Sequence, residues 1–274
     1  MPMNTSPSRD IKKFSKVVNA LRAFFLERGF IEVHTQDRLS ILAACEDPTT
    51  VATYEYEGQR WPLPQTGQMW LEYELLTEPE VSGVFCVSTS YRNEPAPIPG
   101  RHERIFPMFE FEARGTIDDL RSLEAALCEH LGLGRAGAFV HKEYAELAAH
   151  YGASDLTSEH ERQMHKDFGR VVFLEQFPEE TSPFWNMKRR GQTANKIDVI
   201  IDGMETMGSA ERCSNSVEMR ERFHTISGGE YAALLYDTFG RDRVEGELEE
   251  FLALPFTPRY GGGIGLTRLM RALA

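Results

Sequence analysis

The stretch YRNEPAPIPGRHERIFPMFEFE, residues 91–112, decides how the chain is read. Arg92 and Glu94 lead into a loop broken by Pro95, Pro97 and Pro99, after which Arg101, His102, Glu103 and Arg104 follow in one run. Beyond Phe106, apolar residues alternate with Glu110 and Glu112, the period of a strand. Just upstream, VFCVSTS (84–90) has the apolar start of a buried strand. Two strands joined by this loop make an antiparallel hairpin, so Arg92 and the pair Arg101 and His102 can face one side of a sheet. A guanidinium presents a fork of donors that fits phosphate oxygens, and Phe106 offers an aromatic face suited to stacking on a base. The plainer alternative is a surface hairpin laced with Arg–Glu pairs, which contribute little.

The rest of the composition sets this cluster apart. The chain has 274 residues, with 30 Lys and Arg against 42 Asp and Glu, a formal net charge of −12 at pH 7. That balance argues against a nucleic-acid surface spread over the whole molecule, because phosphate binding is driven by dense Lys and Arg. A local basic site is compatible with it. Length and a hydrophobic content of 41% suffice for a sizeable core. The opening MPMNTSPSRDIKKF has no apolar signal core and no apolar run approaches about 20 residues, which points to the cytoplasm and away from membranes. Cys45, Cys86, Cys128 and Cys213 lack the close spacing of zinc sites or disulfide frameworks and read as reduced, buried thiols.

Residues 1–9 read as a frayed polar tail and 10–274 as one domain. From Asp10, Ile11, Phe14, Val17, Val18, Leu21, Phe24 and Phe25 fall at helical spacing, and Gly29 stops the helix. Phe30–Thr35 alternates like a strand, residues 53–61 read as a hairpin, and Thr66-Gly67 opens a helix over LPQTGQMWLEYELL (63–76). Thr116 N-caps a helix that ends at Gly132, a short helix covers 143–150, and a polar surface helix follows. Val171–Glu175 and Ile197–Ile201 read as core strands, and Met219–Phe239 as helix interrupted at Gly228-Gly229. In the terminal YGGGIGLTRLMRALA (260–274) a strand turns into a helix. Mostly antiparallel strands with helices inserted between them predict an α+β fold.

Two further stretches could carry chemistry. The run GGGIG cannot open a dinucleotide fold, because the chain ends nine residues after Gly265, short of the acidic residue such a fold requires. The glycines could instead let a flat ligand lie against bare backbone, with Arg268 reaching an anionic group; a simple bend that packs a terminal helix is the alternative. In KIDVIIDGMETMGSAER (196–212), Asp198 and Glu205 stand seven apart, with a glycine turn expected after Glu205. Two carboxylates beside a polyphosphate suit Mg²⁺, which borrows its other oxygens from phosphate and water. Arg212 could hold a substrate carboxylate. A solvated strand end is the alternative.

In this order the motifs resemble those of class II aminoacyl-tRNA synthetases of the aspartate, asparagine and lysine branch. YRNE…RHERIFPMFEFE is similar to motif 2 and GGGIGLTRLMRAL to motif 3, while LPQTGQMWLEYELL and ETMGSAER look most like asparaginyl-tRNA synthetase. The resemblance runs from about residue 11 to the C-terminus and implies an antiparallel sheet flanked by helices, ATP and Mg²⁺ as cofactors, an amino-acid substrate and a homodimer. By position, Arg92 would bind the α-phosphate and stabilise charge during adenylate formation, with Arg268 as its catalytic companion. Glu94 would anchor the adenine side, and His102 with Arg101 would approach the distal phosphates. Phe106 would stack on adenine from one face and Arg268 from the other. Asp198 and Glu205 would hold Mg²⁺, and Gln68, Glu72 and Arg212 would line the amino-acid pocket.

The sequence also departs from that pattern. It starts at the catalytic core without the anticodon-reading domain, which together with the acidic charge disfavours ordinary tRNA charging. Leu71 stands where the aspartate branch has a lysine, and Glu72 matches the asparagine-type glutamate, which would repel a side-chain carboxylate. Gln36 replaces the motif 1 proline of the dimer interface. Thr267 and Ile105 replace acidic residues beside the adenine site. The expected activity is ATP-dependent activation of an asparagine- or aspartate-like amino acid, with pyrophosphate release and transfer to an acceptor other than complete tRNA. The alternatives are ammonia-dependent asparagine synthesis through a β-aspartyl adenylate, a truncated tRNA-charging enzyme, and a regulator that only binds ATP or an amino acid.

Overall fold

The computed structural model describes residues 10–35, 39–43, 46–98, 100–181 and 185–273. In chain order its helices and strands are α1 (Ile11–Leu26), β1 (Ile31–Glu32), β2 (Thr53–Tyr56), β3 (Gln59–Pro62), α2 (Gln68–Thr77), β4 (Gly83–Tyr91) and β5 (Ile105–Arg114). There follow α3 (Ile117–His130), β6 (Val140–Glu143), α4 (Tyr144–Tyr151), α5 (Ser158–Phe168), β7 (Val171–Pro178), β8 (Arg189–Arg190), β9 (Thr193–Ile201) and β10 (Met204–Glu211). The chain ends with α6 (Ser216–Thr225), α7 (Glu230–Phe239), α8 (Arg241–Leu252), β11 (Arg259–Gly265) and α9 (Leu266–Ala272). The main sheet runs β1-β4-β5-β11-β10-β9-β7-β6, with β8 beside β9, and β2 and β3 form a separate hairpin. Its pairs are antiparallel apart from β1–β4 and β6–β7 at the two edges. The fold is α+β, as expected.

Local chemistry explains where the elements begin and turn. The Asp10 side chain accepts from the backbone N–H groups of Lys12 and Lys13 and starts α1. Thr116 caps α3 with Asp119, whose carboxylate takes both the Thr116 N–H at 2.8 Å and its hydroxyl at 3.1 Å. Glu57-Gly58 and Asp202-Gly203 have positive φ at both positions, the conformation that two-residue hairpins require. The second of these corrects one expectation: the turn precedes Glu205, and the residues after it continue as β10. Phe30–Thr35 contributes only the two residues of β1, and β6 and α8 were not anticipated. The pattern of α8 is visible afterwards, since Val244, Leu248, Phe251 and Leu252 are its buried residues. The position of Gln36 and that of Cys45 lie outside the described residues; Cys86, Cys128 and Cys213 are buried free thiols. Among the described residues no helix is long and apolar enough to cross a membrane.

The period of the strands gives the sheet two unlike faces. Phe109 and Phe111 of β5, Phe173 of β7, and Ile197, Val199 and Ile201 of β9 join one cluster with Phe24 and Phe25 of α1 and Leu127 of α3. On the other face, Leu174 and Ile200 join α6–α8 around Trp185 and Phe251. Lys196 and Asp198 share the parity of Ile200, and Met108, Glu110 and Glu112 alternate with Phe109 and Phe111. The second face therefore carries charge in the middle of the sheet and apolar packing toward its β7 side.

One acid on the first side is buried without help. Glu124 of α3 is fully buried, neither of its carboxyl oxygens has a hydrogen-bond partner among the described residues, and the Ser209 hydroxyl donates to the Ile197 carbonyl at 3.2 Å. Burial pushes its pKa up to about 8. A carboxyl whose folded pKa exceeds its unfolded value binds its proton more tightly when folded, so stability falls as pH rises from about 4.5 to about 8. Relative to the parent chain, Glu124→Gln should lose less stability between pH 5 and pH 8, by on the order of 1–3 kcal/mol. Denaturant unfolding at the two pH values measures this, and equal losses in both chains would refute it.

Candidate active site

The charged face of the sheet opens into two adjoining cavities. The smaller, of about 110 Å³, is walled by Arg92, Glu94, Arg101, His102, Phe106 and Arg268. The larger, of about 400 Å³, extends over β9 and β7 past Gln68, Leu71, Glu110, Lys196, Asp198 and Arg212. Both include Arg92, Met108, Glu205, Gly208 and Gly263 in their walls. The hairpin residues and the glycine strand, read separately from the sequence, thus meet at one place.

Each side chain arrives by strand geometry. Arg92 continues the parity of Cys86, Ser88 and Ser90 on β4, and Phe106 faces Ser90 across the β4–β5 pair. The Arg92 guanidinium carbon is 5.6 Å from the centroid of the Phe106 ring, and its buried Nε has no hydrogen-bond partner among the described residues. Glu205 reaches the site through a bulge between Glu205 and Met207. That bulge restores Glu205 to the face of Gly208 and Arg212 while Met207 turns into the opposite core. Gly261, Gly263 and Gly265 floor the space between β5 and β10, and a Cβ on Gly263 would meet the Met108 methyl at 2.7 Å.

Several expected phosphate ligands are already tied to acids. Arg101 is ion-paired with Glu161 of α5, whose other oxygen accepts from the Glu205 N–H at 2.7 Å. His102 Nδ1 is 2.9 Å from Glu94 Oε2. Arg104 donates to the Glu94 carbonyl at 3.0 Å and, among the described residues, to no carboxylate. Arg268 donates from Nη1 to the Glu205 carbonyl at 2.7 Å and stands 3.5 Å from its carboxylate. Thr267 donates to Glu103 at 3.2 Å.

Asp198 and Glu205 come together over a missing side chain. A Cβ on Gly208 would lie 3.3 Å from Asp198 Oδ1 and 3.3 Å from Glu205 Oε1, so hydrogen at this position leaves room between two carboxylates. The two differ in electrostatics. Burial raises Asp198 to about 7, even with Lys196 ion-paired to it. Burial acts on Glu205 too, but Arg268, Lys196, Arg92 and Arg101 outweigh it and hold this carboxyl below its usual value. Among the described residues no group of three or more His, Cys, Asp or Glu could enclose a metal. A pair of carboxylates fits an octahedral ion that takes most of its oxygens from phosphate and water.

The amino-acid side needs a correction. Gln68 and Arg212 line the larger cavity, but Glu72 does not. It is fully buried, with Arg259 Nε donating to Oε2 at 2.9 Å, and Gln68 Nε2 and Asn186 Nδ2 donating to Oε1 at 2.7 and 3.0 Å. Helix α2 aims Glu72 at the sheet, where a buried guanidinium neutralises it. Arg212 is held by Glu112 in the same way, through Nε at 3.0 Å and Nη2 at 3.1 Å, and burial still pushes Glu112 up to about 7. Leu71 occupies the wall in place of Glu72. Lys196, Glu110 and Glu161 were missed. Lys196 could have been found, because two residues before Asp198 on a strand means the same face; nothing in its helix marked Glu161.

Comparison with known proteins bears on the family and the fold. Residues 1–274 match the family described as tRNA synthetases class II (D, K and N). The aspartate–tRNA(Asp/Asn) ligase of Methanopyrus kandleri is 25% identical over 234 residues, 75% of this chain and 53% of that protein. The lysine–tRNA ligase of Coxiella burnetii is 21% identical over 324 aligned positions, 98% of this chain and 62% of that protein. The chain thus spans roughly half the length of such relatives. Asparaginyl-tRNA synthetase of Pyrococcus horikoshii, solved with asparaginyl-adenylate, superposes with a TM-score of 0.76 at 19% identity, over 96% of this chain and 64% of that one.

The glycine floor gives a direct test. A Cβ on Gly261 would stand 1.8 Å from Glu112 Oε2 and 2.4 Å from the Phe111 carbonyl, so Gly261→Ala must displace the buried Glu112–Arg212 pair. It should cost about 3 kcal/mol or more in unfolding free energy. Gly246 inside α8 has open space around it, and Gly246→Ala should gain about 0.5–1 kcal/mol. Equal effects from the two substitutions in denaturant titrations would contradict this account of β11.

Proposed function

Since the chain belongs to the class II tRNA synthetases of the D, K and N group, we propose that it activates an amino acid with ATP, forming the aminoacyl adenylate and releasing pyrophosphate. The observation that carries this reading is the pair of cavities joined at Arg92, Glu205 and Gly208. The cationic and aromatic lining of the first suits a nucleotide, Gln68 and Arg212 line the second where the amino acid would lie, and their junction is where carboxylate and α-phosphorus would meet.

In this reading the buried Nε of Arg92, which has no hydrogen-bond partner among the described residues, donates to the α-phosphate, and Phe106 and Arg268 take the base between them. A carboxylate oxygen of the amino acid forms the new bond to phosphorus as the bond to the pyrophosphate oxygen breaks. No general base is required, since the nucleophile is already ionised. Arg92 and Arg268 stabilise charge that accumulates on the phosphate oxygens, at positions fixed before the substrates arrive. Mg²⁺, held by Asp198 and Glu205 together with phosphate oxygens, would supply further charge compensation to the leaving pyrophosphate.

Asparagine and aspartate are the two amino acids this reading admits. The case against aspartate had two parts, and one of them, a glutamate facing its side chain, is weakened because Glu72 is buried against Arg259, while Leu71 still stands in the wall where the aspartate branch has a lysine. That observation keeps open the second reading, in which aspartate is adenylated on its side-chain carboxylate and ammonia displaces AMP to give asparagine. The net charge of −12 favours a small acceptor over a whole tRNA.

ATP–pyrophosphate exchange with each amino acid singly tests these statements. Exchange with asparagine supports the first reading, and exchange with aspartate accompanied by asparagine formation from ammonia supports the second. Silence with every amino acid, alongside measurable ATP binding, would leave only a nucleotide-binding regulator. Arg92→Ala should lower exchange at least about 100-fold, and retention within a few-fold would show that Arg92 does not touch the reacting phosphate.

A further inference from the structure

Lys196 projects into the larger cavity beside the two carboxylates assigned to the divalent ion. Its ammonium is ion-paired with Asp198 Oδ1 and lies 3.6 Å from the centroid of the Phe177 ring. The two paired side chains are almost out of solvent, at 13% and 10% exposure. One ligand of the ion is therefore already taken by a cation belonging to the chain. The other carboxylate, Glu205, is backed by Arg268 at 3.5 Å.

The charge balance around this pair decides what can join it. The carboxylates Asp198, Glu205 and Glu161 lie among Lys196, Arg92, Arg101 and Arg268. A bare divalent ion would add two positive charges to a cluster whose acids are already matched. The same ion carried on a triphosphate arrives with more negative charge than it contributes, and the arginines then gain partners. Low water access makes this difference larger than it would be at the surface.

We propose that Lys196 is a resident cation of the Asp198–Glu205 pair, whose ammonium keeps a divalent ion out of the nucleotide-free protein, so that the pair takes its ion only together with the triphosphate. The inference deepens the adenylate-forming reading and rests on it for the identity of the nucleotide. Lys196 is a positioning residue that acts through Asp198. When the ion displaces it, the face of Phe177 continues to hold the ammonium nearby, because a ring attracts a cation without competing for the carboxylate.

Binding of Mn²⁺ to the nucleotide-free protein, followed by electron paramagnetic resonance, tests this without turnover. Lys196→Met should bind free Mn²⁺ at least about tenfold more tightly than the native chain. Lys196→Arg, which keeps the charge, should stay with the native chain, and adding Asp198→Asn to Lys196→Met should remove the gain. Circular dichroism establishes that each variant is folded, and Lys196→Gln serves if the methionine variant is not. The proposal is overturned if the neutral variant binds Mn²⁺ no more tightly than the native chain, or if Lys196→Arg gains as much. Silence in pyrophosphate exchange counts against the adenylate-forming reading, whereas an unchanged Mn²⁺ affinity counts against the role of Lys196.

Discussion

Two guanidinium–carboxylate pairs sealed from water, Arg259–Glu72 and Arg212–Glu112, fix the frame on which the site is built. The first ties α2 to the start of β11, and the second ties β5 to the residue that follows β10. Taking such charges out of water is costly, and the attraction between them offsets that cost only when geometry and extra hydrogen bonds are good. Here Gln68 and Asn186 complete Glu72, and the Cys213 carbonyl accepts from Arg259 Nη1 at 3.0 Å. Removing one partner would strand a buried charge, with a loss of about 3–5 kcal/mol. Buried charge therefore ties β5 to the end of β10 and β11 to α2, and adds to the register that the apolar face of the sheet already specifies.

Much of this arrangement could be read in the sequence because period-2 patterns carry side-chain direction. Phe109, Glu110, Phe111 and Glu112 announce a strand with one apolar and one acidic face, and the structure separates them in that way. Arg92, Glu94, Arg101, His102, Phe106 and Arg268 meet in one cavity because two strand ends and one helix start converge there. What could not be read depends on distant partners. Gln68 and Glu72 are four apart on a helix and share a face, but only the fold brings in Arg259, 187 residues from Glu72. No residue pattern marked the bulge after Glu205, yet without it Glu205 and Gly208 would fall on opposite faces. Glu161 sits in a helix whose composition reads as surface, and only its packing turns it toward Arg101.

The bulge and the glycines solve one steric problem together. A ligand that lies flat on a sheet needs side chains to withdraw from a strip of backbone, while charged groups stand along the edges of that strip. Gly208, Gly261, Gly263 and Gly265 clear the strip. Glu205, Asp198 and Met108 border it on β10, β9 and β5, and Arg92 borders it just past the end of β4. The clearance at Gly261 is the narrowest, with Glu112 Oε2 only 1.8 Å from its missing Cβ, and at Gly208 two carboxylates already approach to 3.3 Å. Space for a small ion and space for a planar ligand are therefore set by the same sheet.

An acidic molecule with a cationic site also discriminates by the size of what approaches. The field of a net charge of −12 acts on any anion at long range, but salt screens it beyond about 8–10 Å. A compact polyphosphate inside the cavity feels chiefly Arg92, Arg101, His102 and Arg268. Prior pairing reinforces the distinction: Arg101 on Glu161 and His102 on Glu94 are already ordered, so a small ligand that engages them spends little conformational entropy. Their acids still oppose an anion, and a ligand that concentrates several charges within reach of Arg92, Arg101 and Arg268 best overcomes that opposition. Local cations within an acidic chain thus suit dense, compact charge, which is the kind of ligand the proposed adenylate-forming reading requires.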